Sequence, residues 1–271
     1  MTTFQKVIKY FAIAFAVCLT ICIIGGIMSL FGLFGGFFND DAVTKDLKVY
    51  EVSSDIKDLT IEINAAELTI KQGESFSVKS NLKYLSVKDN DGTLTIKETK
   101  KFGVTYTGAS LTLIIPTGSV FEKASITTGA GRVCVDCLYA GSMSLNFGAG
   151  AVEIDTLVAT SDIEIDGGAG RITVSNGELH DLDLDMGVGQ LDMKAALAGK
   201  SKLDLGVGGS NITVVGDKDD YSLDIEKGLG NITLDGTNVS SIKEQSNGSN
   251  SLRINGGIGN IIIEFKGSSA E

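Results

Sequence analysis

ASITTGAGRVCV (124–135), MSLNFGAGAVEI (143–154), IEIDGGAGRITV (163–174), LDLDMGVGQLDM (182–193), LDLGVGGSNITV (203–214), LDIEKGLGNITL (223–234) and LRINGGIGNIII (252–263) are seven copies of one pattern. In each, two apolar residues alternate with polar ones, a glycine-centred corner intervenes, and two more apolar residues alternate. Take the first corner residue as zero: Gly129, Gly148, Gly168, Gly187, Gly208, Gly228 and Gly257. The copies then recur every 19 to 21 residues, with one interval of 29 before the last. Position −5 reads Ala124, Met143, Ile163, Leu182, Leu203, Leu223, Leu252, and position −3 reads Ile126, Leu145, Ile165, Leu184, Leu205, Ile225, Ile254. Position +4 reads Val133, Val152, Ile172, Leu191, Ile212, Ile232, Ile261, and position +6 reads Val135, Ile154, Val174, Met193, Val214, Leu234, Ile263. No polar residue interrupts these columns.

Self-similarity at this period marks a stack of supersecondary units. Side chains two residues apart share one face of a strand, and strands hydrogen-bonded side by side lie about 4.8 Å apart. Stacking the copies therefore lays like residues over each other. Each fully buried aliphatic side chain contributes about 1.5–3 kcal/mol, which helps offset the ordering of a coil. Leu138, Leu157, Leu179 and Leu197 are expected to line a third side. The expected fold class is all-β: a single-stranded β-solenoid, parallel β-helix-like, with about 20 residues per coil and an N-terminal transmembrane helix.

The corner glycines are Gly129, Gly131, Gly148, Gly150, Gly168, Gly170, Gly187, Gly189, Gly208, Gly228, Gly230, Gly257 and Gly259. A sharp bend needs backbone angles that glycine adopts at little cost. The residue between them reads Ala130, Ala149, Ala169, Val188, Gly209, Leu229, Ile258, and its growth suggests an inward-pointing side chain in a widening interior. Copy five is irregular, with Gly208-Gly209-Ser210 at its corner and a second Gly-Val-Gly at 206–208. The long last interval holds TNVSSIKEQSNGSNS (237–251), a polar, turn-rich segment expected to project from the stack.

Working outward, residues 47–123 alternate in the same way but with irregular spacing, and read as a β lead-in and cap of hairpins and irregular coils. LTIEINAAELTI (59–70), LSVKDNDGTLTI (85–96) and LTLIIPTGSV (111–120) each carry the alternation on both sides of a turn. The regular solenoid is expected over 124–265, with a frayed tail at 266–271. Residues 10–38 carry no charge, and a bilayer core needs about 20 apolar residues in a helix. A cleaved signal peptide has a shorter apolar core and a small-residue cleavage site. The run therefore reads as an uncleaved signal anchor between a cytoplasmic stub (1–9) and a linker (39–46). Lys6 and Lys9 before it, and Asp40 and Asp41 after it, keep the N-terminus in the cytoplasm and place the C-terminal domain outside. Gly25, Ser29, Gly32 and Gly36 could form a close homodimeric helix contact, although glycine is also common in membrane helices.

With 23 Lys+Arg against 34 Asp+Glu, the formal net charge is −11. Such a domain is a poor partner for nucleic acid or anionic lipid. Outward position −4 reads Ser125, Ser144, Glu164, Asp183, Asp204, Asp224, Arg253, flanked by Asp166, Asp185 and Glu226. Like charges on neighbouring strands repel. Glu164, Asp183, Asp204 and Asp224 could therefore hold Ca²⁺ weakly, or receive a basic partner, or simply form a solvated edge. No other cofactor is expected.

Catalytic material is sparse. His180 is the only histidine, in a turn segment. Cys134 and Cys137 form one C-x-x-C, and a zinc site needs a second pair; unremarkable thiols and a local disulfide both remain open. The Gly-x-Gly corners lack the third glycine and following helix of a dinucleotide site. They also lack the aspartate of calcium-binding nonapeptide rolls. With no Trp, aromatic platforms for sugars are scarce.

LTIEINAAELTI, LTLIIPTGSVFEKASITTGAG (111–131) and the run to GGIGNIII (256–263) together resemble the bacterial "putative adhesin" family, related to LiaG-like cell-envelope proteins. The resemblance covers roughly residues 47–265. It implies a membrane-tethered, surface-exposed β-solenoid, often beside envelope-stress or antibiotic-response genes, and it transfers no catalytic residues. The leading expectation is a non-enzymatic envelope protein, anchored in the cell membrane, that displays the solenoid to an envelope protein or polymer. The alternative is an accessory or regulatory component of an envelope-stress system; an envelope enzyme is the third reading.

Overall fold

The computed structural model describes residues 40–53, 55–99, 104–246 and 248–267. The chain divides into two units. In the smaller one, the described residues are strand Asp40–Asp41 and its parallel partner Val104–Thr105. The larger unit carries the repeats. The expected membrane helix, its small-residue face and the cytoplasmic stub lie outside the described residues. Among those that are described, no helix is long and apolar enough to cross a membrane.

The larger unit is a solenoid of parallel strands, and it begins well before residue 124. Asp58–Ala65 and Glu67–Gly73 form a full coil against the first copy, pairing Leu59 with Ala124, Ile61 with Ile126, Leu68 with Val133 and Ile70 with Val135. On its other side lie Thr93–Glu98 and Ser110–Pro116, with Leu94 beside Leu59 and Leu111 beside Leu68. The lead-in therefore holds two coils in reversed order: the later in sequence is the outer in space. Antiparallel strands finish this end. Ser77–Leu82 pairs with Ser110–Pro116, Leu85–Asn90 with Thr93–Glu98, and Val43–Glu51 with Ser77–Leu82. Residues 43–46, expected in the linker, belong to Val43–Glu51.

The other end is reversed in the same way. Copy five does not meet copy six. Its strand Lys200–Val215 pairs with Asn250–Ile258 and Ile261–Lys266, which carry copy seven. Copy seven in turn pairs with copy six, placing Leu252 beside Leu223 and Ile261 beside Ile232. The spatial order is thus four, five, seven, six. The 237–251 segment does not project. Thr237–Val239 and Ser241–Glu244 turn back antiparallel on copy six and cover its open edge. An uncovered edge would expose a row of unpaired N–H and C=O groups to other chains, so reversed coils with antiparallel covers give each end a finish. Lys266, assigned to the tail, is the last residue of a strand.

The aliphatic columns stand inside the stack as expected, and Leu138, Leu157, Leu179 and Leu197 line a further side, all buried. The pairing corrects the register of copy five by two residues. Leu184 meets Leu203, and Gly189 meets Gly208, so the corner of copy five is Gly206-Val207-Gly208. A two-residue slip leaves every side chain on its face, which is why alternation alone could not detect it. In the observed register the column above Leu182 passes through Ser201, and the one above Leu191 through Ser210; both serines are buried. The Ser201 hydroxyl has no hydrogen-bond partner. Tyr221 closes the third side near this end, its ring tilted against that of Phe265 at 5.3 Å between centroids and its hydroxyl donating a hydrogen bond to the Leu197 carbonyl.

Candidate functional site: the corner ridge and the polar rows

At the corner the chain packs backbone on backbone. A Cβ built on Gly148 would overlap the carbonyl oxygen of Gly129, and one on Gly170 that of Gly150. The ladder continues with Gly206 on Gly187, Gly257 on Gly206 and Gly228 on Gly257, independently tracing the order four, five, seven, six. Only the second glycine of each corner has a positive φ, from 134° at Gly131 to 152° at Gly189. The first glycine is required by close approach rather than by the bend.

With the backbone pressed inward, the residue between the glycines faces outward, contrary to the sequence expectation. Ala130, Ala149 and Ala169 are exposed, Val188 is 41% exposed and Leu229 43%. In spatial order Val188, Val207, Ile258 and Leu229 lie side by side on successive coils. They form an apolar ridge on the solvent side of the corner, in which Val188, Val207 and Leu229 are exposed and Ile258 is half-buried.

The polar strand faces beside the ridge carry two rows. The first runs Glu164, Asp183, Lys202, Arg253, Asp224, Lys243. The second runs Asp166, Asp185, Asp204, Asn255, Glu226. The expected acidic stripe is therefore not one row. Glu164 and Asp183 are neighbours, Asp204 stands in the second row, and Asp224 is separated from Asp183 by two cations. The corrected register of copy five and the exchange of copies six and seven account for both differences. Lys202 Nζ lies 2.5 Å from Asp204 and 3.5 Å from Asp183, and Arg253 lies 3.1 Å from Asp224. The Asn255 amide donates to Asp204. Burial opposes ionisation of Asp204, but the Lys202 ammonium and the Asn255 amide hold its carboxyl below the ordinary value. Burial and a hydrogen bond with Asp204 raise the neighbouring Asp185. Among the described residues, no three His, Cys, Asp or Glu side chains gather around a common point where a metal ion could sit.

A family profile, Toastrack DUF4097, matches residues 45–264. The chain belongs to that family. Its similarity to solved structures is broad but distant. A "putative adhesin" from Bacteroides fragilis is 14% identical, with a TM-score of 0.43 over 81% of this chain and 98% of that one. A "putative cell adhesion protein" from Clostridium sporogenes is 12% identical, with a TM-score of 0.31 over 82% and 99%. A "putative lipid binding protein" from Parabacteroides distasonis is 16% identical, with a TM-score of 0.34 over 83% and 94%. No curated protein matches.

The remaining residues singled out in the sequence sit apart on the Toastrack domain. Cys134 and Cys137 are free, half-buried thiols. Burial, then the Glu153 carboxylate, push the Cys134 thiol up, away from nucleophilic reactivity. His180 Nδ1 lies 2.9 Å from both the Ser161 carbonyl and an Asp181 oxygen. The apolar ridge and the cation pair within the first row escaped the sequence reading. A signal for the ridge was present: Val207 fits the series Val188, Ile258, Leu229 better than Gly209 does.

Proposed function

We propose that this Toastrack protein is a non-enzymatic, membrane-anchored component of the cell envelope whose extracytoplasmic solenoid makes contacts with an envelope protein or polymer. The observation that carries the reading is the ridge of Val188, Val207, Ile258 and Leu229. Apolar side chains held in a contiguous row on solvent are a mark of a contact surface. The glycine ladder beneath makes that surface rigid, so little ordering entropy opposes its use. The uncharged run at 10–38 and the charges flanking it support the anchor and the orientation.

The test has two arms. Protease added to intact cells is expected to digest the domain from residue 42 onward; protection on intact cells with digestion after lysis would place it inside and end the proposal. Crosslinking in membranes carrying the full-length chain is expected to give a partner adduct that disappears in the Val188→Ser, Val207→Ser double variant. An adduct unchanged by that variant would remove the ridge from the contact.

A further inference from the structure

We infer that the stack carries a binding groove for a linear, phosphate-bearing polyanion where copies five, seven and six adjoin. The inference deepens the display reading by naming a partner class. Its biological meaning rests on that reading, while its chemistry does not.

The groove has a volume of about 470 Å³ and crosses four neighbouring strands. It exists because of the exchanged coils: residues 200–202 lie beside 251–253, these beside 222–224, and these beside Lys243 and Gln245 of the antiparallel cover. Four cations line it, Lys200, Lys202, Arg253 and Lys243, against one acid, Asp224. The whole chain carries a net charge of −11, so such a concentration of positive charge runs against its composition. Arg253 is engaged by Asp224, and Lys202 by Asp183 and Asp204. Lys200 and Lys243, both exposed, contribute ammonium groups with no carboxylate among the described residues within ion-pair distance.

Geometry selects the occupant. Lys202, Arg253 and Lys243 occupy one row across the strands, where each step is about 4.8 Å; Asp224, paired with Arg253, stands between Arg253 and Lys243. A chain laid along the stack meets them in series, whereas a compact anion meets one or two. The polar groups beside them are donors that suit phosphate oxygens: the Ser222 and Ser251 hydroxyls and the Gln245 amide. Among the described residues no aromatic side chain lines the groove, and Leu223 and Leu252 beneath it are buried. Protein interfaces are centred on aromatic and apolar anchors, so a hydrated polyanion fits better than an acidic protein. The net negative charge does not forbid this. At physiological ionic strength the screening length is about 8 Å, so distant carboxylates slow the approach more than they weaken contacts inside the groove.

The experiment uses the full-length chain in detergent and linear inorganic polyphosphate as the probe, followed by fluorescence anisotropy at low and physiological salt. Binding is expected to weaken with added salt. It should be about tenfold weaker in the Lys200→Gln, Lys243→Gln double variant. The control is Lys71→Gln, Lys79→Gln, which removes the same charge far from the groove and is expected to leave binding within about twofold. Absence of polyphosphate binding at low salt overturns the inference, as does an equal loss in both double variants. Orthophosphate binding as tightly as the polymer would overturn the linear-chain assignment, and tighter binding of polyglutamate would overturn the phosphate assignment. Protease accessibility on intact cells is read independently, so failure of the groove and failure of the display topology are distinguishable.

Discussion

The coil at 59–70 and the copies from 124 onward turn a corner at the same place with different residues and different backbone angles. The later copies turn through Gly-x-Gly; the earlier coil turns through Asn64-Ala65-Ala66, with Ala65 beside Ala130. A corner can thus be turned without glycine, through backbone angles that avoid the positive φ of the second corner glycine, which none of Asn64, Ala65 and Ala66 adopts. Glycine is needed to stack one corner on another. Each corner glycine would direct its Cβ onto the carbonyl of the coil on its lead-in side, and Gly129 and Gly131 would strike Asn64 and Ala66. Asn64 and Ala66 themselves have no such strand partner among the described residues, because pairing with the next coil out stops at Glu62 and resumes at Glu67. In place of a backbone, the buried Glu98 carboxylate accepts the Asn64 N–H at 2.8 Å and the Tyr106 hydroxyl. Burial and then Glu98 itself raise the Tyr106 phenol well above its ordinary value, which keeps that hydroxyl a donor.

The largest effect that would break this comparison is expected at Gly170. Gly170→Ala places a Cβ on the Gly150 carbonyl at a φ of 145°. Neither strain can relax without parting two coils, so the loss should exceed about 4 kcal/mol, or the domain should fail to fold. Ala66→Gly, at the equivalent corner position of the lead-in coil, should cost only about 0.5–1 kcal/mol of chain entropy. Urea denaturation of both variants checks the contrast. Similar midpoints would show that the corners are not in contact.

Next in size is the side chain that stands in for a stacked corner. Glu98→Ala leaves the Asn64 N–H without its acceptor, and an orphaned buried donor costs about 1–3 kcal/mol. Glu98→Gln retains an oxygen and should recover most of that loss. Equal thermal denaturation midpoints for the Ala and Gln variants would mean that Glu98 fills space rather than supplying an acceptor.

What was legible followed from the spacing of side chains along one strand. The inward columns, the third-side leucines and the tight-turn segments all depend on alternation, and alternation is local. Which coil adjoins which depends on pairing across the stack, where copies five, six and seven carry interchangeable aliphatic residues. Charge could not reveal the exchange, because copies six and seven adjoin in either order and pair Arg253 with Asp224 in both; such an opposite-charge pair is worth about 0.2–1 kcal/mol across strands. Lys202 beside Asp183 is another. The acidic stripe was misplaced because Asp204 was aligned on the wrong glycine and copies six and seven were taken in sequence order, although its outward direction was right.

Ser201 sharpens the corrected register with a gain in stability. Its hydroxyl is buried without a partner in a column otherwise filled by Leu182 and Leu252. Removing an unsatisfied hydroxyl should outweigh the small volume lost, so Ser201→Ala is expected to stabilise by about 1 kcal/mol. If Leu203 held that column instead, Ser201 would lie outside the core and the substitution would leave the melting temperature unchanged.

The smallest effect is expected at Gly209, and its contrast with Gly206 decides between the two registers. If Gly208-Gly209-Ser210 were the corner, Gly209 would be the residue between the corner positions and Ser210 would occupy the second, stacked one. In the structure Gly209 lies beyond the corner, its φ is not in the left-handed region, and a Cβ there meets nothing within 4 Å. Gly209→Ala should therefore change stability by no more than about 0.5 kcal/mol. Gly206→Ala, three residues away, should behave like Gly170→Ala, because its Cβ would overlap the carbonyls of Gly187 and Met186. A tolerant Gly206 would restore the register read from the sequence. A tolerant Gly209 beside an intolerant Gly206 fixes the corner at Gly206-Val207-Gly208, and with it the place of Val207 in the apolar ridge.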